Sequence, residues 1–91
     1  MIDFQTGQVV ISKAGRDKGD VFIVIGVDMD FLQLVDGKGR PYANPKKKKK
    51  KHVQPTKTVD TSIKKALSAQ VLLKDSDFRN ALKLFKGARE V

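Results

Sequence analysis

Six consecutive lysines, Lys46 to Lys51, are the residues of this chain best suited to a chemical task. Like charges at this density repel one another, and such runs are usually solvated until a line of phosphates neutralises them and releases counterions. Lysine carries a compact charge on a flexible stem and lacks the planar fork of arginine. The tract therefore predicts contacts with a nucleic-acid backbone rather than with base edges. The alternatives are a purely solvated run and a nuclear-localisation-like signal.

A second basic group, Lys13, Arg16 and Lys18, precedes the tract and is interleaved with two glycines. Gly15 and Gly19 would let the backbone approach a phosphate closely, because glycine has no Cβ and accepts positive φ. Arg16 is the residue best shaped for bidentate contact with phosphate or guanine. The segment predicts a second RNA contact, although the glycines would build turns in either case.

Residues beside the lysine tract complete the candidate set. Tyr42 lies between Arg40 and the lysines, where it would either stack on an unpaired base or cover one end of the fold. Arg40 is counted with the RNA-binding residues. His52 is the single histidine, and we interpret it as a phosphate or backbone contact.

Catalytic and metal chemistry find little support in the residues. The chain has no cysteine and one histidine, and its carboxylates do not cluster at ligand spacing. No nucleophile is marked beside His52, and the segment 37–39 lacks the spacing of a phosphate-binding loop. We expect no enzyme activity, no metal or other cofactor and no small-molecule substrate.

The positive charge is concentrated rather than spread. Among 91 residues, 19 Lys and Arg stand against 10 Asp and Glu, a net charge of +9, and six of the cations form the tract. Such a field points to a polyanion, nucleic acid first and an acidic membrane surface second. No apolar run is long enough to span a membrane, and the N-terminus lacks the pattern of a secretion signal. We expect a cytoplasmic protein without a membrane partner.

The elements that must position these residues change character near residue 59. β-branched and aromatic runs predict strands at 7–12, 21–28, 31–35 and 56–59, with a tight turn at Met29–Asp30. The Asp36–Gly37 pair is a strong hairpin signal. Two prolines make 40–45 an edge strand or a loop, and 52–55 is predicted to be a turn. Five short strands in this length favour a small closed barrel, because closure removes exposed edges.

Residues 60–91 have helical spacing instead. The apolar positions predict two short helices, or one broken near residue 74. Asp60, Thr61 or Ser62 would cap the first, Ser76 would cap the second, and Gly87 would end it. Their apolar stripes would cover either the barrel or a partner. The phenylalanines on apolar faces are predicted to be core residues: Phe22, Phe31, Phe78 and Phe85.

The segment 9–37 resembles a KOW motif, with Gly19 at the place of the motif's glycine. With the basic tract, His52 and Pro55–Thr56 that follow, residues 4–59 resemble the ribosomal protein fourteen-e family and its bacterial KOW-domain relatives. The resemblance implies an SH3-like barrel that binds large-subunit ribosomal RNA and has no catalytic activity. The tract departs from the family pattern in being all lysine, and the helical tail has no counterpart in it.

We therefore predict a mainly β fold, with an SH3-like barrel of the KOW type at 1–59 and a helical extension at 60–91. The predicted function is RNA binding on the ribosome, with the helices available to ribosomal proteins. One alternative is a KOW module of transcription, and the other is an SH3-like protein–protein adaptor. An adaptor needs an aromatic-lined groove, and the chain has one tyrosine and no tryptophan.

Overall fold

The computed structural model describes residues 3–89. Five antiparallel strands form one sheet in the order β4-β3-β2-β1-β5, and two helices follow, which confirms a mainly β fold with a helical C-terminal segment. The elements are β1 (Gln8–Ser12), β2 (Val21–Val27), β3 (Phe31–Val35), β4 (Lys46–Lys49), a 3₁₀ turn (Lys50–His52), β5 (Val53–Val59), α1 (Thr61–Ser68) and α2 (Asp75–Arg89). Neither helix, within residues 3–89, is long and apolar enough to cross a membrane.

Apolar residues alternate along the strands and bury both faces of the sheet. One face packs against the helices, where Val9, Ile23 and Val35 share a cluster with Ile63 and Phe78. This confirms that the helical stripes cover the sheet, one of the two predicted destinations. The other face carries a cluster that joins β1, β2, β3 and β5, although β3 and β5 are not neighbours, so the sheet is curled: Val10, Phe22, Val24, Leu32, Leu34 and Val53.

Lys46 to Lys49 of the lysine tract form strand β4, which the sequence did not predict, and Lys50 and Lys51 continue into the 3₁₀ turn. Lys46 to Lys49 pair with β3 in a regular antiparallel register, from Leu34↔Lys46 to Phe31↔Lys49. The segment 40–45, expected to be an edge strand or a loop, is irregular. Pairing with β3 satisfies the backbone groups on one side of β4, and the alternation of its side chains separates neighbouring charges onto opposite faces.

The predicted turns are present in part. Asp28 donates a backbone hydrogen bond to Phe31 across the Met29–Asp30 turn. The Asp36–Gly37 turn also forms, closed by hydrogen bonds from both backbone amides to the Arg40 carbonyl oxygen. It does not close a two-residue hairpin, because the chain re-enters the sheet only at Lys46. Its tip packs against α2, which brings the Gly37 backbone against Asp75 and Arg79.

The turn predicted at 52–55 is wrong, since β5 begins at Val53 and includes Pro55. Proline lacks an amide hydrogen and is tolerated there because β5 is an edge strand. The Asp60 cap is confirmed by a 2.9 Å hydrogen bond from the Ile63 amide to the Asp60 carboxylate. The second helix begins at Asp75 rather than after Ser76.

The start and end of α2 differ from expectation for local reasons. The Lys74 amide donates to the Asp77 carboxylate at 2.8 Å, so Asp77 rather than Ser76 provides a side-chain hydrogen bond at the start of the helix. Gly87 does not end the helix, which continues to Arg89. Glycine weakens a helix interior by about 1 kcal/mol, which is not enough to stop it.

Candidate nucleic-acid interface

The alternation of β4 divides its lysines into two pairs. Lys46 and Lys48 stand opposite Leu34 and Leu32, whose side chains lie in the interior of the curled sheet. Lys47 and Lys49 stand opposite Gln33 and Phe31 and are exposed on the outer face. Half of the strand's charge is thus directed into the protein.

Asp17, in the loop between β1 and β2, receives the inward pair. Its two carboxylate oxygens lie 2.5 Å from the Lys46 Nζ and 2.8 Å from the Lys48 Nζ. The side chains of Asp17 and Lys48 are only 11% and 10% exposed. Ser12 donates a further hydrogen bond to the carboxylate at 2.7 Å, and Lys48 also donates to the Ala14 carbonyl oxygen at 2.8 Å. We call this group, Asp17 with Ser12, Lys46 and Lys48, the Asp17 clamp.

The electrostatics of the clamp favour the ionised carboxylate. Burial by itself raises the pKa of Asp17, but hydrogen bonds from Lys46, Lys48 and Ser12 outweigh it and hold the pKa far below the usual range. Asp17 is therefore charged at every physiological pH. The clamp attaches the β1–β2 loop to the lysine strand.

The outer face carries the cations that remain available. Lys47 places its Nζ 4.5 Å from the centre of the Phe31 ring, within cation–π range. Lys49, Lys50 and Lys51 line a shallow surface depression together with Phe31 and Asp30. The 3₁₀ turn is held there by a 2.9 Å hydrogen bond from the Lys50 amide to the Asp30 carbonyl oxygen. We call this surface the outer lysine face: Phe31, Lys47, Lys49, Lys50 and Lys51.

The β1–β2 loop adjoins the lysine tract. The Lys13 amide donates to the His52 carbonyl oxygen at 2.8 Å, and the Asp17 clamp joins the middle of the loop to β4. The side chains of Lys13, Arg16 and Lys18 are exposed. Gly15 and Gly19 have positive φ values of 86° and 90°, so both glycines build turns.

Arg40 and Tyr42 occupy a different neighbourhood. The Tyr42 ring packs against Phe78 with centroids 5.3 Å apart, and its amide donates to the Asp75 carboxylate at 2.7 Å. The Arg40 carbonyl oxygen closes the β3–β4 turn. Of the two roles weighed for Tyr42, its position agrees with covering the fold.

Sequence reasoning missed Asp17 and Asp30 and placed Phe31 in the core. Phe31 is only half-buried, at the first position of β3 beside the edge strand β4. The signal for Asp17 was its position between Arg16 and Lys18, where a lone acid among cations indicates an ion pair. No group of three or more His, Cys, Asp or Glu side chains within residues 3–89 is arranged to hold a metal.

Comparison of the chain with models of protein families finds no match, and comparison with curated proteins also finds none.

Proposed function

We propose that this protein binds structured RNA without catalysing a reaction, and that its site is the outer lysine face with the adjoining β1–β2 loop. The observation that carries the proposal is the division of the tract: two lysines pair with Asp17, and the others lie around Phe31 at the surface. Exposed cations on a hydrogen-bonded strand and turn can bind consecutive phosphates of a nucleic-acid backbone.

We also propose that the five strands form an SH3-like barrel of the KOW type. A five-stranded antiparallel sheet curled around one apolar cluster is compatible with an SH3-like barrel of the KOW type. The ribosomal protein fourteen-e family, which residues 4–59 resemble, also carries a basic tract after its third strand, and the basic loop after β1 adjoins that tract here. On this basis we propose large-subunit ribosomal RNA as the target, in the cytoplasm.

The alternatives are a KOW module acting in transcription and a protein–protein adaptor. An adaptor of the SH3 type needs an aromatic groove for a proline-rich peptide. The single tyrosine is packed on Phe78, which leaves little aromatic surface for such a groove. The charge on the outer lysine face favours a polyanion over this rival.

The test compares two variants with equal charge change. K47S/K49S/K50S/K51S removes the outward lysines, and K57S/K65S/K83S/K86S removes exposed lysines elsewhere. We expect wild-type affinity for a structured ribosomal RNA fragment to fall with salt at a log–log slope of about −3 to −4, from about four phosphates. K47S/K49S/K50S/K51S should strongly reduce the salt dependence of RNA affinity, and K57S/K65S/K83S/K86S should reduce it only slightly. Equal losses in both would contradict a localised site.

Sedimentation of native lysate on sucrose gradients at low and high salt addresses the cellular target. We expect co-migration with large ribosomal subunits at low salt, and co-migration that survives high salt would indicate a stable ribosomal component. Migration with RNA polymerase instead would support the transcription alternative.

A further inference from the structure

We propose that the depression beside the outer lysine face binds a single unpaired guanine base, stacked on Phe31 and recognised by the carboxylate of Asp30. This inference rests on the proposed RNA-binding function and goes beyond it, because it assigns base recognition to a surface otherwise described by phosphate contacts alone.

The first observation is the position of Phe31. Phe31 is half-buried at the first position of β3, beside the edge strand β4, and it lines the depression with Lys49, Lys50 and Lys51. The Lys47 ammonium lies over one face of the ring, 4.5 Å from its centre, so a base that stacks on this face displaces the ammonium toward a flanking phosphate. An aromatic ring surrounded by cations is the arrangement with which proteins hold unstacked bases, the ring taking the base and the cations its flanking phosphates.

The second observation is Asp30, an acid on a surface suited to phosphates. A carboxylate repels a phosphate backbone, so Asp30 weakens a site that binds phosphates alone. Within residues 3–89 the ion pairs are those of Asp17, so Asp30 is not neutralised by a neighbouring lysine. Its side chain is exposed, and its backbone is held in place by the hydrogen bond from Lys50.

The chemistry of Asp30 selects the base. An ionised carboxylate only accepts hydrogen bonds and has two oxygens side by side. Guanine is the base whose Watson–Crick edge presents two adjacent donors, its ring N1–H and exocyclic amine, and can satisfy both oxygens. Adenine and cytosine present one donor group beside an acceptor, and uracil presents one donor between two acceptors. The depression is therefore a guanine site.

The test uses fluorescein-labelled short oligouridylates that carry one central guanosine, adenosine, cytidine or uridine, with affinities measured by anisotropy at fixed salt. Wild type should prefer the guanosine oligomer by about tenfold, the discrimination of one bidentate contact. F31A should lose about five- to a hundredfold in affinity for it, the range for one stacked base, with an unchanged salt slope.

Further variants separate base stacking by Phe31 and guanine recognition by Asp30 from effects on folding. F31Y retains an aromatic ring and should bind as wild type, whereas F31L retains apolar bulk and should bind as F31A. D30N should lose the guanine preference and bind the all-uridine oligomer equally or more tightly. M29A removes an exposed side chain from the same turn, 92% accessible, and should change nothing.

The outcomes distinguish this inference from the proposed function. If F31A and D30N bind all four oligomers as wild type does while K47S/K49S/K50S/K51S loses binding, the base site is refuted and phosphate binding stands. If none of these variants changes affinity, the outer lysine face is not the RNA site and both proposals fail.

Discussion

Asp17 is the residue on which the arrangement of the basic surface depends most. It lies between two cations in the sequence yet pairs with Lys46 and Lys48, about thirty positions later in the chain. Because its carboxylate is largely buried, it stabilises the fold only as long as it is ionised and paired. A single acid thus decides which lysines of the tract are free to bind.

D17N should destabilise the protein by about 1–3 kcal/mol at neutral pH, since it leaves two lysines with a weak neutral acceptor in a poorly solvated place. Urea unfolding measures the change. D20N removes an exposed acid from the same loop and should stay within about 0.5 kcal/mol of wild type.

The same residue predicts a pH dependence. The folded-state pKa of Asp17 is lowered, so its stabilisation is fully present above the ordinary aspartate pKa of about 4. It is lost as pH falls from there toward the folded-state pKa. The difference in unfolding free energy between wild type and D17N should therefore shrink between neutral pH and about pH 2. A difference that stays constant over this range would show that Asp17 does not act through its charge.

At the scale of elements, β4 separates structural from binding lysines by alternation. A strand of four lysines has little propensity of its own, and β4 exists because β3 offers a full ladder of partners. The aliphatic stems of Lys46 and Lys48 lie on the side of the apolar cluster, and their Nζ atoms reach Asp17. Lys47 and Lys49 face solvent.

Two double variants with the same loss of charge test this division. K46S/K48S should lower the free energy of unfolding by about 1–3 kcal/mol, because it leaves Asp17 buried without a cation. It should leave RNA affinity nearly unchanged. K47S/K49S should cost less than about 1 kcal/mol, mostly the cation–π contact with Phe31, while the salt slope of RNA binding falls by about 1.5. Thermal melts and salt titrations on both variants provide the comparison, and a reversed pattern would refute it.

At the scale of the whole molecule, the helices are part of the core. Ile63, Phe78 and Leu82 share one cluster with residues of β1, β2 and β3. The outer lysine face and the β1–β2 loop lie on parts of the chain that precede the helices. Stability and RNA binding should therefore respond to different changes.

F78A should destabilise the protein by about 3–5 kcal/mol, since Phe78 is fully buried. L84A on the same helix removes a side chain that is 74% exposed and should change stability by less than about 0.5 kcal/mol. Folded F78A protein should keep wild-type RNA affinity at low temperature, and a loss of affinity would place part of the site on the helices.

Deletion of residues 60–91 should lower the melting temperature or cause aggregation, because it uncovers the apolar face of the sheet.

How far the sequence leads depends on the range of the interactions involved. Periodicity and capping are local, so the strands near 7–12, 21–28 and 31–35 and the Asp60-capped helix followed from the residues alone. The candidate binding residues followed from charge density, which is also a property of the chain. The KOW resemblance and the ribosomal target stay predictions.

Only the tertiary structure decided the role of each lysine, because six identical residues carry no signal that separates them. Pairing with β3 made a strand of four of them, and register then set which faced Asp17 and which faced solvent. Phe31 lies half-buried beside the lysines of β4, although its local pattern was that of a core residue. Tyr42 packs against Phe78 of α2, a residue more than thirty positions later in the chain. Such roles depend on packing between residues that are distant in the chain, and local sequence patterns do not show these contacts.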